Sequence, residues 1–191
     1  ILAPTKGSIH FPLLQKDDSL NWASVKKHIA YIPQHLEAWN WNLYETLCYE
    51  AAIHDVPANE VIKTVDYTVH RMGLGAYIQH QWHELSGGYK LRFELAKALV
   101  WHPKLLIIDE PLAHLDVRAQ LIVLHDLAKI AGSEKYPISM VLSSQHIHET
   151  EAIAQQILFI QNGSLTVYNA DKAYKADNAY HYFEIETVET Y

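Results

Sequence analysis

At 191 residues, 49% of them hydrophobic and 19% charged, the chain has the size and balance of one globular α/β domain or of a core with a small subdomain. Its 22 acidic residues outnumber its 15 lysines and arginines, and the net charge of −7 argues against a nucleic-acid-binding surface, which shows as a basic excess or stripe. One cysteine, Cys48, excludes an intrachain disulfide and points to a reducing compartment, and no apolar run approaches the roughly 20 residues that span a bilayer.

The opening ILAPTKGSIHF has no basic stretch followed by an apolar one, so it does not read as a signal peptide. Strand-type runs follow at 8–11 and 29–32. From about 35 to 98 strand signals vanish and helical patterns take over, which predicts an inserted helical subdomain. The first helix is expected over 43–53, with Asn42 as its N-cap. The second, over 58–72, starts after Pro57 and stops at Gly73. The third, over 86–100, carries Leu91, Leu95, Ala98 and Leu99 on one face and is ended by His102-Pro103.

The apolar run LLII at 105–108 suits a parallel strand buried on both faces. A helix over 116–130 follows, begun by a capping Asp116 and ended near Gly132, and further strands are expected at 139–142, 157–160 and 165–168. From Asp171 onward the sequence is polar and tyrosine-rich, and it reads as a peripheral helix and a tail. Strands alternating with helices predict a layered α/β core over 1–34 and 99–170, with the helical subdomain at 35–98 and the tail at 171–191. Thirteen histidines, grouped most closely at His80/His83 and His146/His148, lack the tight multi-ligand spacing of zinc sites and read as scattered surface residues.

Two segments carry chemistry. LLIIDEP at 105–111 ends an apolar strand in two adjacent carboxylates, at the sheet edge where open α/β sheets bind ligands. Neighbouring strand residues point to opposite sides, so the acids need not share one task. Asp109 can hold Mg²⁺ through water while Glu110 polarises an attacking water, or both can be solvated acids capping a strand. LSGGYKLRFELAKAL at 85–99 places Ser86 and two glycines at a helix start, where free N–H groups and the helix dipole favour an anion. An ordinary N-cap with a flexible glycine pair is the alternative.

Together, LSGGYKLRFELAKAL and LLIIDEPLAHLD resemble the signature, Walker B strand and D-loop of the ABC ATPases, with Leu115-Asp116 as the D-loop pair. YIPQ at 31–34 resembles the Q-loop with Gln34 as its glutamine, and MVLSSQHIHETEAIA at 140–154 resembles the switch region. The separations also fit: 52 residues from Gln34 to Ser86, 23 from Ser86 to Asp109 and 36 from Asp109 to Gln145. The resemblance implies a P-loop NTPase core of three layers with a mostly parallel sheet. It further implies that Leu85, Ser86, Gly87, Gly88 and Tyr89 serve an ATP across a head-to-tail pair of subunits, with Asp116 as the D-loop aspartate. Asp109 and Gln34 would attend Mg²⁺, and Glu110 the attacking water.

The sequence departs from the family in three places. No G-x-x-x-x-G-K-[ST] occurs in it, so the Walker A lysine is expected upstream of Ile1. Counting back from Glu149 puts Gln145 in the switch position, with His146 as the one-residue alternative. Tyr89 stands where glutamine is commonest and is read as neutral to mechanism.

The resemblance implies an ATP- and Mg²⁺-dependent transporter ATPase. It would work as a homodimer or with a related subunit on a transmembrane permease, peripherally on the inner, cytoplasmic face of the cell membrane. The Q-loop and switch region look most like those of drug- or multidrug-export ATPases. Leu36, Trp39, Trp41 and Leu43 form either a docking patch for that permease or part of the subdomain's own core. A soluble ABC ATPase acting on ribosomes or DNA and a degenerate regulatory module are the alternatives, and the acidic balance disfavours the former.

Overall fold

The structure, a computed structural model, describes residues 22–113, 115–145, 151, 153–169 and 182–187. In chain order the elements are α1 (Trp22–Lys26), β1 (Ile29–Ile32), α2 (Leu43–Ile53), α3 (Val61–Arg71), α4 (Gly87–Leu99), β2 (Leu105–Ile108), α5 (Val117–Ala131), β3 (Ser139–Ser143), β4 (Gln156–Gln161), β5 (Ser164–Asn169) and β6 (Tyr182–Thr187). The strands form one sheet in the order β1-β2-β3-β6-β4-β5, parallel except for the β4–β5 hairpin. That hairpin turns on Asn162-Gly163, both with positive φ (49° and 74°), the two-residue connection whose twist matches paired strands.

The register of β1, β2 and β3 explains how their faces differ. Ala30, Leu106 and Met140 lie side by side, as do Ile32, Ile108 and Leu142, and all six are buried. The other face carries Tyr31, Ile107 and Val141, of which Tyr31 is 59% exposed and the other two are half-buried. The expectation that LLII is buried on both faces is therefore corrected: among the described residues only one face of β2 is fully covered.

No strand lies between β1 and β2 in sequence. The apolar residues of α2, α3 and α4 are continuous with those of the sheet in one cluster. Asn42 caps α2 by accepting the Glu45 N–H at 2.9 Å, and Asp116 caps α5 by accepting the Ala119 N–H at 2.9 Å. Helix α3 starts later than Pro57 suggested, because 57–60 closes first as a turn, with the Glu60 N–H bonded to the Pro57 carbonyl at 2.7 Å.

Helix α4 is buried more widely than its expected stripe, since Phe93, Glu94 and Ala96 are enclosed as well. Arg92 of α4 donates through Nε to Asp126 of α5 at 2.6 Å, tying the two helices at a largely buried ion pair. Glu94 is 5% exposed, and burial pushes its carboxyl up despite the Lys97 ammonium 3.0 Å away.

The C-terminal reading needs a second correction. Residues 182–187 form β6, inside the sheet between β3 and β4 and parallel to both, rather than a peripheral helix or tail. YFEIET is rich in aromatic and β-branched residues and so favours a strand. The strand expected at 8–11 falls outside the described residues. No helix among them is long and apolar enough to cross a membrane.

Candidate functional site

Strands β1, β2 and β3 run parallel, so their C-terminal ends deliver Gln34, Asp109-Glu110 and Ser143–Gln145 to one edge of the sheet. Asp109 is anchored by its own N–H, which donates to the Ile32 carbonyl at 2.9 Å. The next residue, Glu110, adopts φ +46°, a conformation that costs a non-glycine residue about 1–3 kcal/mol. The strand has ended at Ile108, so strict alternation no longer applies and both acids turn into one cluster. That corrects the expectation that they face opposite sides.

The cluster is closely bonded. Gln34 donates through Nε2 to Glu110 Oε2 at 2.6 Å, and Gln145 donates through Nε2 to Glu110 Oε1 at 2.8 Å. One carboxylate is thus held from both sides by amides, which supply hydrogen bonds without a titrating charge. Ser143 is a residue that sequence reasoning missed. Its hydroxyl donates to Asp109 Oδ1 at 2.5 Å and accepts the Glu110 N–H at 2.8 Å. The other Asp109 oxygen, Oδ2, has among the described residues the Tyr31 hydroxyl at 3.5 Å, and burial followed by the Asp109 charge pushes that phenol up. The signal for Ser143 was a polar residue directly after the apolar run at 140–142, but its neighbour could be named only once β3 was known to flank β2.

The donor set suits Mg²⁺. Asp109 keeps one weakly engaged oxygen at a partly buried strand end, matching an ion that takes one or two carboxylates plus substrate phosphates. No group of three or more histidine, cysteine or acidic residues that could hold a metal by itself occurs among the described residues.

The signature residues lie at the start of α4. Ser86 is its N-cap but makes no capping hydrogen bond through its side chain, unlike Asn42 and Asp116, so the capping explanation of Ser86 fails. The sequence Ser86–Tyr89 borders a cleft of about 200 Å³ whose opposite wall is Leu115, Asp116 and Ala119. Gly87 permits that approach: a Cβ there would stand 3.3 Å from Leu115 Cδ2. Leu85 is buried at 5% exposure and anchors the loop before the helix. Tyr89 is partly buried, its ring 4.0 Å from that of Tyr77 and 5.9 Å from the Arg92 guanidinium. A second cleft of about 150 Å³ joins this region to the acids, lined by Gln34, Gly87, Lys90, Asp109 and Glu110.

Gln34, Asp109, Glu110 and Gln145 therefore come together, with Ser86–Tyr89 and Asp116 on an adjoining cleft. His146 lies outside the described residues. The aromatic patch after Gln34 divides in two. Leu43 is buried, Leu36 is partly buried, and Trp39 packs edge-on against Trp82 and Phe93 at 4.7 and 4.5 Å with the Lys97 ammonium over its ring. Trp41 stays 53% exposed, edge-on to Tyr49 at 5.3 Å.

A family model described as ABC transporter matches residues 1–113. The molybdate/tungstate import ATP-binding protein WtpC of Methanocaldococcus jannaschii is 25% identical over 169 residues, covering 88% of this chain and 54% of the relative. The molybdenum import ATP-binding protein ModC of Albidiferax ferrireducens is 31% identical over 144 residues, covering 75% of this chain and 38% of the relative. The chain thus spans about half, or less, of the length of these curated relatives. The solved structure of cbiO1 from Clostridium perfringens, part of the ABC transporter complex cbiONQ, shares the fold with a TM-score of 0.78 at 24% identity, over 89% of this chain and 68% of that one. Both curated relatives carry import names, so the likeness to drug-export ATPases finds no support in them. The chain belongs to the ABC transporter family.

Proposed function

We propose that the chain is the ATP-binding and ATP-hydrolysing part of an ABC transporter subunit, working in a head-to-tail pair on a transmembrane permease. The observation that carries this is the Gln34–Glu110–Gln145 bridge beside Asp109, at the sheet edge that adjoins the Ser86–Tyr89 cleft. Glu110 is the general base. Amide N–H groups on both its oxygens hold the carboxylate at a fixed angle, so it can accept a proton from water without first reorienting. Gln145, rather than His146, fills the switch position, and its amide orients Glu110 without bringing a charge.

Asp109 and Gln34 would attend Mg²⁺, and the bound ion would supply neutralisation of charge on the phosphate oxygens. Asp109 is kept in place by Ser143, which also fixes the backbone of Glu110, so the two acids move as one. Ser86, Gly87 and Gly88 present backbone N–H groups at a helix start to the γ-phosphate held by the partner subunit. Asp116, already engaged as a cap, shapes the same interface.

Import names on relatives with a stated cargo favour uptake over drug export. Such a subunit sits on the cytoplasmic face of the membrane, and the exposed Trp41–Tyr49 pair beyond Gln34 is the candidate contact for the permease. No G-x-x-x-x-G-K-[ST] occurs in the 191 residues, so these residues alone are expected to bind ATP weakly and to hydrolyse little.

The test is Glu110→Gln in the full-length protein, measured by phosphate release and by calorimetry with ATP. Hydrolysis should fall about 10²–10⁴-fold while ATP affinity stays within a few fold. Hydrolysis near the wild-type rate would overturn the assignment of Glu110.

A further inference from the structure

The opposite edge of the sheet holds a feature that ATP hydrolysis does not use. Trp101 and His102 lie just before β2, and Lys135 and Tyr136 just before β3, so they gather at the N-terminal ends of the strands whose C-terminal ends carry Asp109 and Ser143. With the segment from His54 to Tyr67 they enclose a groove of about 590 Å³, within the range of small-molecule sites.

Its walls are flat rings. His54 stacks on Trp101 with centroids 4.1 Å apart and planes 7° from parallel. His102 stacks on Tyr136 at 3.9 Å and 6°. Tyr67 stands edge-on to Tyr136 at 5.6 Å, and the Lys135 ammonium lies 4.6 Å and 5.0 Å from these two ring centres. Burial first, then the charges of Arg71, Lys135 and Lys104, push the His102 imidazole down, which keeps that ring neutral at pH 7.

Charge around the groove runs against the rest of the chain. Lys63 and Lys135 line it, and Arg71 and Lys104 are close enough to act on His102. Of the two carboxylates lining it, Asp55 is faced by Lys27 at 3.9 Å and Glu60 stands against Lys63 and Lys135, while Glu50, 3.8 Å from His54 Nε2, is a further acid at the rim. The protein as a whole carries −7, so this is a local positive field in an acidic molecule. The inner faces of both pairs are closed on each other, so a planar ligand ring would stack on a face turned to the groove, and lysines receive an anion. A one-ring acid would fill only part of the volume, whereas a purine with its sugar and phosphate spans both features.

We propose that this groove is a second ligand site, separate from the nucleotide face, for an aromatic anion of the nucleoside monophosphate class. Its position across the sheet from Asp109 means that its occupant does not compete with ATP.

The test uses the full-length protein saturated with a non-hydrolysable ATP analogue and Mg²⁺, titrated with AMP by calorimetry and by indole fluorescence. AMP should bind saturably with Kd below about 1 mM, and adenosine or inorganic phosphate alone about tenfold or more weakly. Lys63→Glu with Lys135→Glu, both exposed positions, should weaken AMP about tenfold or more. Trp101→Phe should abolish the fluorescence response. Absence of saturable binding, displacement of AMP by the ATP analogue, or unchanged affinity in the double variant would each overturn the proposal.

Discussion

The hydroxyl of Ser143 accepts the backbone N–H of Glu110 at 2.8 Å while donating to Asp109 at 2.5 Å. One side chain on β3 therefore fixes two consecutive acids just past the end of β2, and it does so at the residue with φ +46°. Ser143→Ala removes both bonds and leaves the Glu110 N–H without that partner. Hydrolysis by the full-length protein should fall about ten- to hundredfold, with a stability loss of about 1–3 kcal/mol. Ser143→Thr keeps a hydroxyl and should recover most of the rate. Full activity in the alanine variant would show that Glu110 holds its place without β3.

Gln145 and His146 are the two candidates for the proposed switch role, and the Gln145 amide 2.8 Å from Glu110 favours the former. Gln145→Ala in the full-length protein should lower hydrolysis about tenfold or more, and His146→Ala less than threefold. Because an amide does not titrate, kcat in the wild type should show no step near the ordinary histidine pKa of about 6.5 assignable to this residue. Steady-state rates over pH 5.5–8.5, compared with those of Gln145→His, give the answer, since about one unit either side of that pKa covers the transition.

Gly87 separates a packing effect from a functional one. Gly87 is the first residue of α4, so alanine there gains less than the about 0.5–1 kcal/mol of a mid-helix position, and its Cβ would press on Leu115 at 3.3 Å. Gly87→Ala should therefore leave the melting temperature nearly unchanged while ATP hydrolysis falls about tenfold. A rate loss accompanied by a falling melting temperature would point to ordinary misfolding.

Much of this arrangement is legible in the sequence, and the exceptions share a cause. LLII and IAYI mark β2 and β1 to the residue, because runs of four residues with β-branched or aromatic members, flanked by Pro33 or Pro103 and by polar residues, are too short for a helix. Asn42 and Asp116 mark their helices because capping is a local interaction. Ser143 and β6 are not local. The role of Ser143 depends on β3 lying beside β2, and the place of β6 depends on a gap between β3 and β4. The shared orientation of Asp109 and Glu110 is hidden for a different reason: side-chain alternation holds only within the strand, which stops at Ile108, and Glu110 turns at φ +46°. Helix α1, five residues long, is too short to leave a periodic pattern.

His102 gives a pH-dependent contribution to stability with a definite sign. Its folded-state pKa lies below the ordinary 6.5, so on acidification the unfolded chain takes up a proton that the folded chain resists. The contribution is present above pH 6.5 and is lost as pH falls through the interval below it. His102→Asn, which tolerates the φ of +56° found there, should flatten the wild-type slope over that interval. Urea unfolding of wild type and variant at a series of pH values from 7.5 downward measures it, and parallel curves would discount His102.

The Arg92–Asp126 pair has a mechanical consequence for the Ser86 cleft. The cleft is bounded by the first turns of α4 and α5, and the ion pair pins those same helices further along their lengths. Gly87 faces Leu115, in the loop that leads into α5, across the other side of the cleft. A helix pair tied in this way resists being prised apart, so the walls of the cleft keep their spacing when either helix is displaced.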